Sequence, residues 1–194
     1  MTLADKITLL RVVLAPVFFA LYFLPGSAAG AIWMVATLWV VFLVAEITDG
    51  LDGMVARRLN QSSDFGKLFD PFADTLVQLT FFLCFTLDGV FPAVLFLVVI
   101  YREFAILFVR NLMLQKGATM GARMSGKAKT VAYIVACSFA MVYVSLLRLD
   151  IRQIAFLTPI FRVAAIVVFA VSVIFSVVSF FDYVSVYRSY RKAR

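Results

Sequence analysis

The chain predicts an all-α, polytopic membrane protein: a six-transmembrane-helix bundle preceded by a short interfacial amphipathic helix. Three observations predict it. The 194 residues are 64% hydrophobic with a mean hydropathy of +1.02, against about 45–50% apolar residues in ordinary soluble domains. Six stretches reach the roughly 20 apolar residues that a bilayer crossing needs. The basic residues also fall into two very unequal groups when those stretches are threaded back and forth.

Taken in order, residues 3–11 form the amphipathic stub, set to lie along the interface. The spans then fall near 8–25, 31–55, 69–87, 90–114, 127–147 and 158–184. Pro16 lies inside the first and can kink it. The breaks carry turn chemistry or charge: Pro25-Gly26-Ser27, Asn60-Gln61-Ser62-Ser63, Asp88-Gly89, Lys116-Gly117 and Leu149-Asp150. Lys6 and Arg11 before an apolar run, with Ala28-Ala29-Gly30-Ala31 after it, also have the outline of a signal peptide. The length of the run and the spans that follow favour an uncleaved first helix. No internal repeat or linker stands out, so residues 1–194 read as one membrane domain.

Placing the termini and the even-numbered connections on one side gives that side Lys6, Arg11, Arg57, Arg58, Lys67, Arg102, Arg110, Lys116, Arg123, Lys127, Lys129, Arg188, Arg191, Lys192 and Arg194. The other side keeps Arg148, Arg152 and Arg162. Both termini, and the connection from the second to the third span, are therefore expected in the cytoplasm. The net charge of +7 reports this topology and an attraction to anionic membrane lipids, not to nucleic acid. With no histidine, imidazole acid–base chemistry and His-metal sites are excluded. Cys84 and Cys137 stand alone in apolar runs and read as small buried hydrophobes.

Against this background the acids stand out. Asp49 and Asp52 are three apart and Asp70 and Asp74 four apart, so each pair shares a helix face. The first pair ends one span and the second begins the next, so a short connection brings the four carboxylates together. A carboxylate placed in hydrocarbon costs about 2.5–3.5 kcal/mol on insertion scales. Four at one point would repel each other and take up protons. Hard divalent cations resolve both problems with oxygen ligands, and two ions bridged by carboxylates is a recurrent arrangement for phosphoryl chemistry. Gly50, Gly53, Ala56 and Gly66 remove bulk beside the acids, and Arg57 offers a planar fork to phosphate oxygens. Simple ion pairing to nearby arginines accounts for any one acid alone, but it is a costly way to hold a bundle that small residues could pack.

A second cluster runs from Tyr101 to Thr130: Arg102-Glu103, Arg110, Lys116-Gly117 and Ser125-Gly126-Lys127-Ala128-Lys129-Thr130. Arg102 and Arg110, eight apart, share a helix face. With Lys127 and Lys129 they can form a second phosphate pocket. Positive-inside anchoring explains Lys116, Arg123 and Lys129 equally well, but Arg102 and Arg110 less so, because they lie deeper.

The pattern Asp49-x-x-Asp52-Gly53-x-x-Ala56-Arg57, then eight residues, then Gly66-x-x-x-Asp70-x-x-x-Asp74, resembles the signature of the CDP-alcohol phosphotransferases, filled at every position. The resemblance implies a six-helix membrane fold, usually a homodimer, and displacement of CMP from a CDP-linked lipid by an alcohol. It implies Asp49, Asp52, Asp70 and Asp74 as ligands of two divalent cations, Mg²⁺ or Mn²⁺, with Asp74 as general base. It implies a CDP pocket of Asp49, Asp52, Gly53, Ala56, Arg57, Gly66 and Asp70. Within the family, Lys6-Ile7-Thr8-Leu9-Leu10-Arg11, Arg102-Glu103, Arg110 and Gly126-Lys127-Ala128-Lys129-Thr130 are similar to the bacterial branch that joins CDP-diacylglycerol to sn-glycerol 3-phosphate. That places the chain in the cytoplasmic membrane and gives Arg102, Arg110, Lys127 and Lys129 to the acceptor phosphate. Thr75 departs from the Lys that many members of this branch carry after the last Asp. Inositol phosphate, serine or another alcohol would use the same chemistry with a different pocket. A cation transporter or a non-catalytic subunit remain readings from other classes; the first leaves Ala56-Arg57 and Gly66 unexplained.

Overall fold

The computed structural model describes residues 3–24, 30–59, 64–115, 124–150 and 152–192. Within them, the side chains of 3–5, 50–59, 64–65, 67–68, 114, 124–127, 152, 186 and 189–192 are outside the description. Six α-helices follow one another: α1 Leu3–Phe23, α2 Ala31–Leu59, α3 Asp64–Leu87, α4 Ala93–Gln115, α5 Met124–Leu149 and α6 Thr158–Lys192, the last entered through a short 3-10 turn, Arg152–Leu157. No strand occurs among the described residues.

Among the described residues, four segments are by themselves long and apolar enough to cross a membrane: Lys6–Phe23 in α1, Ala31–Asp49 in α2, Ala128–Leu149 in α5, and Gln153–Ser185, which covers most of α6. α3 and α4 are interrupted by polar residues, Asp70, Asp74 and Gln78 in one and Arg102, Glu103 and Arg110 in the other. The stub expected at 3–11 is not a separate element. It runs without a break into the first span, because Thr8 and Arg11 belong to the same buried stripe as Ala15, Phe18 and Tyr22. These five recur at alternating steps of three and four, one face of a single helix.

α6 carries the matching stripe Ala165, Phe169, Ser172, Ser176, Ser179 and Tyr183, all buried. Its small residues let α5 approach closely through Ala136, Cys137 and Ala140, and α5 with α6 is the most extensive helix pair. α1 packs on both α2 and α3. Phenylalanines tie the layers together: Phe81 meets Phe18 at 4.6 Å and Phe42 at 5.3 Å, and Phe91 stacks on Phe169 at 4.0 Å.

Two of the expected breaks lie within the described residues. α3 ends in a Schellman motif: Val90 N–H donates to the Phe85 carbonyl at 2.8 Å and Gly89 N–H to Thr86 at 3.1 Å, with Gly89 at φ 73°. α5 ends at Asp150, φ 44°, a residue type that tolerates the left-handed region. The breaks at Pro25-Gly26-Ser27, Asn60-Gln61-Ser62-Ser63 and Lys116-Gly117 lie outside the described residues. Cys84 and Cys137 are buried and unpaired by disulfide.

Candidate active site

The alternating helices bring the N-terminal half of α1, the second half of α2 and the first half of α3 to one end of the bundle. There they meet the second half of α4, the start of α5 and the second half of α6. A cavity of about 230 Å³ opens among them and takes lining residues from all six helices. Its walls have opposite character. Glu46 and Asp49 of α2 and Asp74 of α3 lie on one side; Arg102 and Arg110 of α4 and Lys129 of α5 lie on the other.

On the acidic side α1 supplies the counter-charge. Nη1 of Arg11 bonds Oδ1 of Asp49 and, at 2.5 Å, Oδ1 of Asp74. The Arg11 side chain is 2% exposed, while those of Asp49 and Asp74 are 37% and 46% exposed. Arg11 thus fixes one oxygen of each carboxylate, and both residues line the cavity. One turn earlier on α1, Thr8 donates to Oδ1 of Asp70 at 2.8 Å. Asp70 does not line the cavity. Gly66 is buried. The side chains of Asp52, Ala56 and Arg57, and Gly53 beside them, lie outside the described residues.

On the basic side, Glu103 organises the cations. It accepts from Arg102 Nη1 at 2.8 and 2.9 Å and from Lys129 Nζ at 2.9 Å. Arg102 is anchored on α6, with Nε donating to the Ser176 carbonyl at 2.9 Å and Nη2 to Ser179 Oγ at 3.2 Å. Arg110 Nη2 donates to the Tyr183 hydroxyl at 3.1 Å. Arg102 and Glu103 are 7% and 4% exposed, and such buried charges persist only when paired and hydrogen-bonded. The side chain of Lys127 lies outside the described residues. Thr75, also on the cavity wall, spends its hydroxyl on the Pro71 carbonyl at 2.9 Å.

A family model for CDP-alcohol phosphatidyltransferases matches residues 1–178. The chain belongs to this family.

Relatives resemble it over most of its length. A CDP-diacylglycerol–glycerol-3-phosphate 3-phosphatidyltransferase of Treponema pallidum is 35% identical over 195 residues, covering 96% of this chain and 89% of the relative. The protein so named in Bacillus subtilis is 34% identical, over 73% of this chain and 77% of its own. A probable phosphatidylglycerophosphate synthase of Mycobacterium tuberculosis is 31% identical, over 94% and 80%.

CDP-alcohol phosphatidyltransferases use divalent metals, and the residues present suit such ions. Asp49 and Asp74 each turn one oxygen towards a single cationic nitrogen and both line the cavity, a donor set of hard oxygens. Among the described residues, no three acids, cysteines or histidines are grouped closely enough to hold an ion.

Sequence reasoning missed Thr8 and Arg11 as site residues, and with them Glu46, Gln78 and Tyr183. Arg11 had a signal: a charge three residues from Thr8 on an otherwise apolar helix face, which needs a partner inside the bundle.

Proposed function

We propose that this enzyme transfers the phosphatidyl group of CDP-diacylglycerol to sn-glycerol 3-phosphate, giving phosphatidylglycerophosphate and CMP. The observation that carries the reading is the division of one cavity into an acidic and a basic wall. The motif acids suit a nucleotide pyrophosphate with its cations. The opposite wall suits an acceptor that brings its own phosphate, and three relatives bear the name of that reaction.

In this reading Asp49, Asp52, Asp70 and Asp74 hold two divalent cations, Mg²⁺ or Mn²⁺, and Gly53, Ala56, Arg57 and Gly66 complete the CDP pocket with Asp49, Asp52 and Asp70. Cations held by these residues would supply positive charge to the pyrophosphate and to the leaving phosphate. Arg110, Lys129, Lys127 and Arg102 hold the acceptor phosphate, with Glu103 and Tyr183 fixing the cations they touch. The primary hydroxyl of the acceptor is thereby aimed across the cavity at the donor. Its oxygen attacks the lipid-side phosphorus and its proton passes to Asp74. The bond from that phosphorus to the CMP phosphate oxygen breaks, and CMP leaves as a phosphate monoester. The attack is direct and in line, with no covalent enzyme intermediate.

We further place all six helices across the bacterial cytoplasmic membrane in one domain, with both termini and the cavity on the cytoplasmic side, as a homodimer of the family type. The basic bias supports the orientation. α4 supports the span count: its charged residues line the cavity, while Val94, Leu97, Tyr101, Phe104 and Phe108 are exposed on its outer face. The first turns of α1, ahead of Thr8, are the part that reaches the interface.

The test is an acceptor panel. Purified protein with CDP-diacylglycerol and Mg²⁺ or Mn²⁺ is expected to release CMP with sn-glycerol 3-phosphate and to form phosphatidylglycerophosphate. Strong release with serine or an inositol phosphate, and none with glycerol 3-phosphate, would overturn the acceptor assignment.

A further inference from the structure

Inside the level of Asp49 and Asp74 the cavity has a second polar layer that the motif does not include. Two contacts fix the antiparallel register of α2 against α3. Asp49 and Asp74 share Nη1 of Arg11, and Phe42 and Phe81 meet ring to ring at 5.3 Å. On each helix seven residues separate these two points, so both descend about 10 Å between them. Glu46 lies one turn inside Asp49 and Gln78 one turn inside Asp74. The two therefore fall at one level, between the Asp49–Asp74 layer and the Phe42–Phe81 contact, and both line the cavity.

Both side chains are half-buried. Among the described residues, no hydrogen bond or ion pair engages Glu46 or Gln78. A carboxylate and a carboxamide at one level of the cavity wall, neither spent on a protein hydrogen bond, are available to a ligand.

We propose that Glu46 and Gln78 recognise the secondary hydroxyl of the phosphorylated acceptor and so set the choice of alcohol. The assignment rests on the function given above. An acceptor with its phosphate on the Arg110–Lys129 wall and its primary hydroxyl at Asp74 has one more hydroxyl between them. The pair matches both capacities of that group: the Glu46 carboxylate accepts its O–H, and the Gln78 amide N–H donates to its oxygen.

The probe is 3-hydroxypropyl phosphate, which keeps the phosphate and the primary hydroxyl and lacks the secondary one. kcat/KM for CMP release is measured with each acceptor on the full-length protein. The wild type is expected to prefer sn-glycerol 3-phosphate by about 10- to 100-fold, the worth of hydrogen bonds to one hydroxyl when one partner is charged. Glu46→Gln and Gln78→Leu are each expected to bring that ratio to within about threefold, and Glu46→Asp to an intermediate value. Equal losses with both acceptors, or an unchanged ratio, would overturn the proposal. So would weakened Mn²⁺ binding by Glu46→Gln without acceptor, which would make Glu46 a metal ligand. No CMP release by the wild type with either acceptor would refute the activity itself, and this assignment with it.

Discussion

Arg11 is the residue on which the acidic wall turns. Asp49 and Asp74 come from different helices, and one buried guanidinium nitrogen joins them. Removing it leaves two carboxylates facing each other beside apolar side chains. Breaking a fully buried pair costs about 3–5 kcal/mol; here both acids are more than a third exposed, which reduces the expected loss to about 1–3 kcal/mol. Arg11→Ala is thus expected to lower the Tm of the purified protein, and Arg11→Lys to recover part of it, since both bonds run to one nitrogen. An Arg11→Ala protein as stable as the wild type would remove Arg11 from this role. Glu103 plays the corresponding part on the basic wall, where Arg102 and Lys129 converge on its carboxylate. Adjacent residues do not normally face each other on a helix, so the Arg102–Glu103 pair was not to be expected from spacing alone. It forms because both side chains swing to the same side, towards α5 and α6.

The helices themselves were legible. Every apolar stretch corresponds to a helix of the structure, and Asp88-Gly89 and Leu149-Asp150 end helices as their turn chemistry requires. Gly89 makes that requirement testable. Its φ of 73° suits glycine, and open space surrounds the position where a Cβ would sit, so a substitution meets conformational cost without a clash. Gly89→Ala is expected to destabilise the protein by about 1–2 kcal/mol, read as a lower Tm, with CMP release per folded molecule unchanged because the turn lies at the end away from the cavity. A Tm equal to the wild type's would contradict the motif. What the sequence did not disclose is how α1 joins the site. Thr8 and Arg11 meet Asp70 and Asp74 across more than sixty positions of chain, and only the packing of α1 against both α2 and α3 creates that meeting. The segment 3–11 is continuous with α1 for the same reason: Thr8 and Arg11 are buried in the bundle. The Asp49–Asp74 register was legible from helical spacing, whereas the polar layer of Glu46 and Gln78 needed the Phe42–Phe81 contact.

The whole bundle works as two halves closing on one cavity, the acids of α2 and α3 with Arg11 of α1 on one side and the cations of α4 and α5 with Glu103 and Tyr183 on the other, with a different polar cluster at the far end. There Tyr22 donates to Asp88 at 2.8 Å, and Arg148 donates to the Tyr22 carbonyl at 2.6 Å. This polarity fixes what an orientation experiment must find. With Arg194→Cys and Gln153→Cys made separately, an impermeant maleimide applied to intact spheroplasts is expected to label only the Gln153 position. The reverse pattern would contradict a cytoplasmic cavity. The central claim is that the lipid-linked nucleotide is cleaved between the two walls, with Asp74 taking the proton. CMP release from CDP-diacylglycerol and sn-glycerol 3-phosphate, measured on wild type and Asp74→Asn together, tests it most directly. The wild type should turn over, stop when divalent ions are chelated and resume when Mg²⁺ or Mn²⁺ is restored. Asp74→Asn should lose about 10²–10⁴-fold or more while still binding CDP-diacylglycerol. Wild-type turnover by Asp74→Asn would contradict the account.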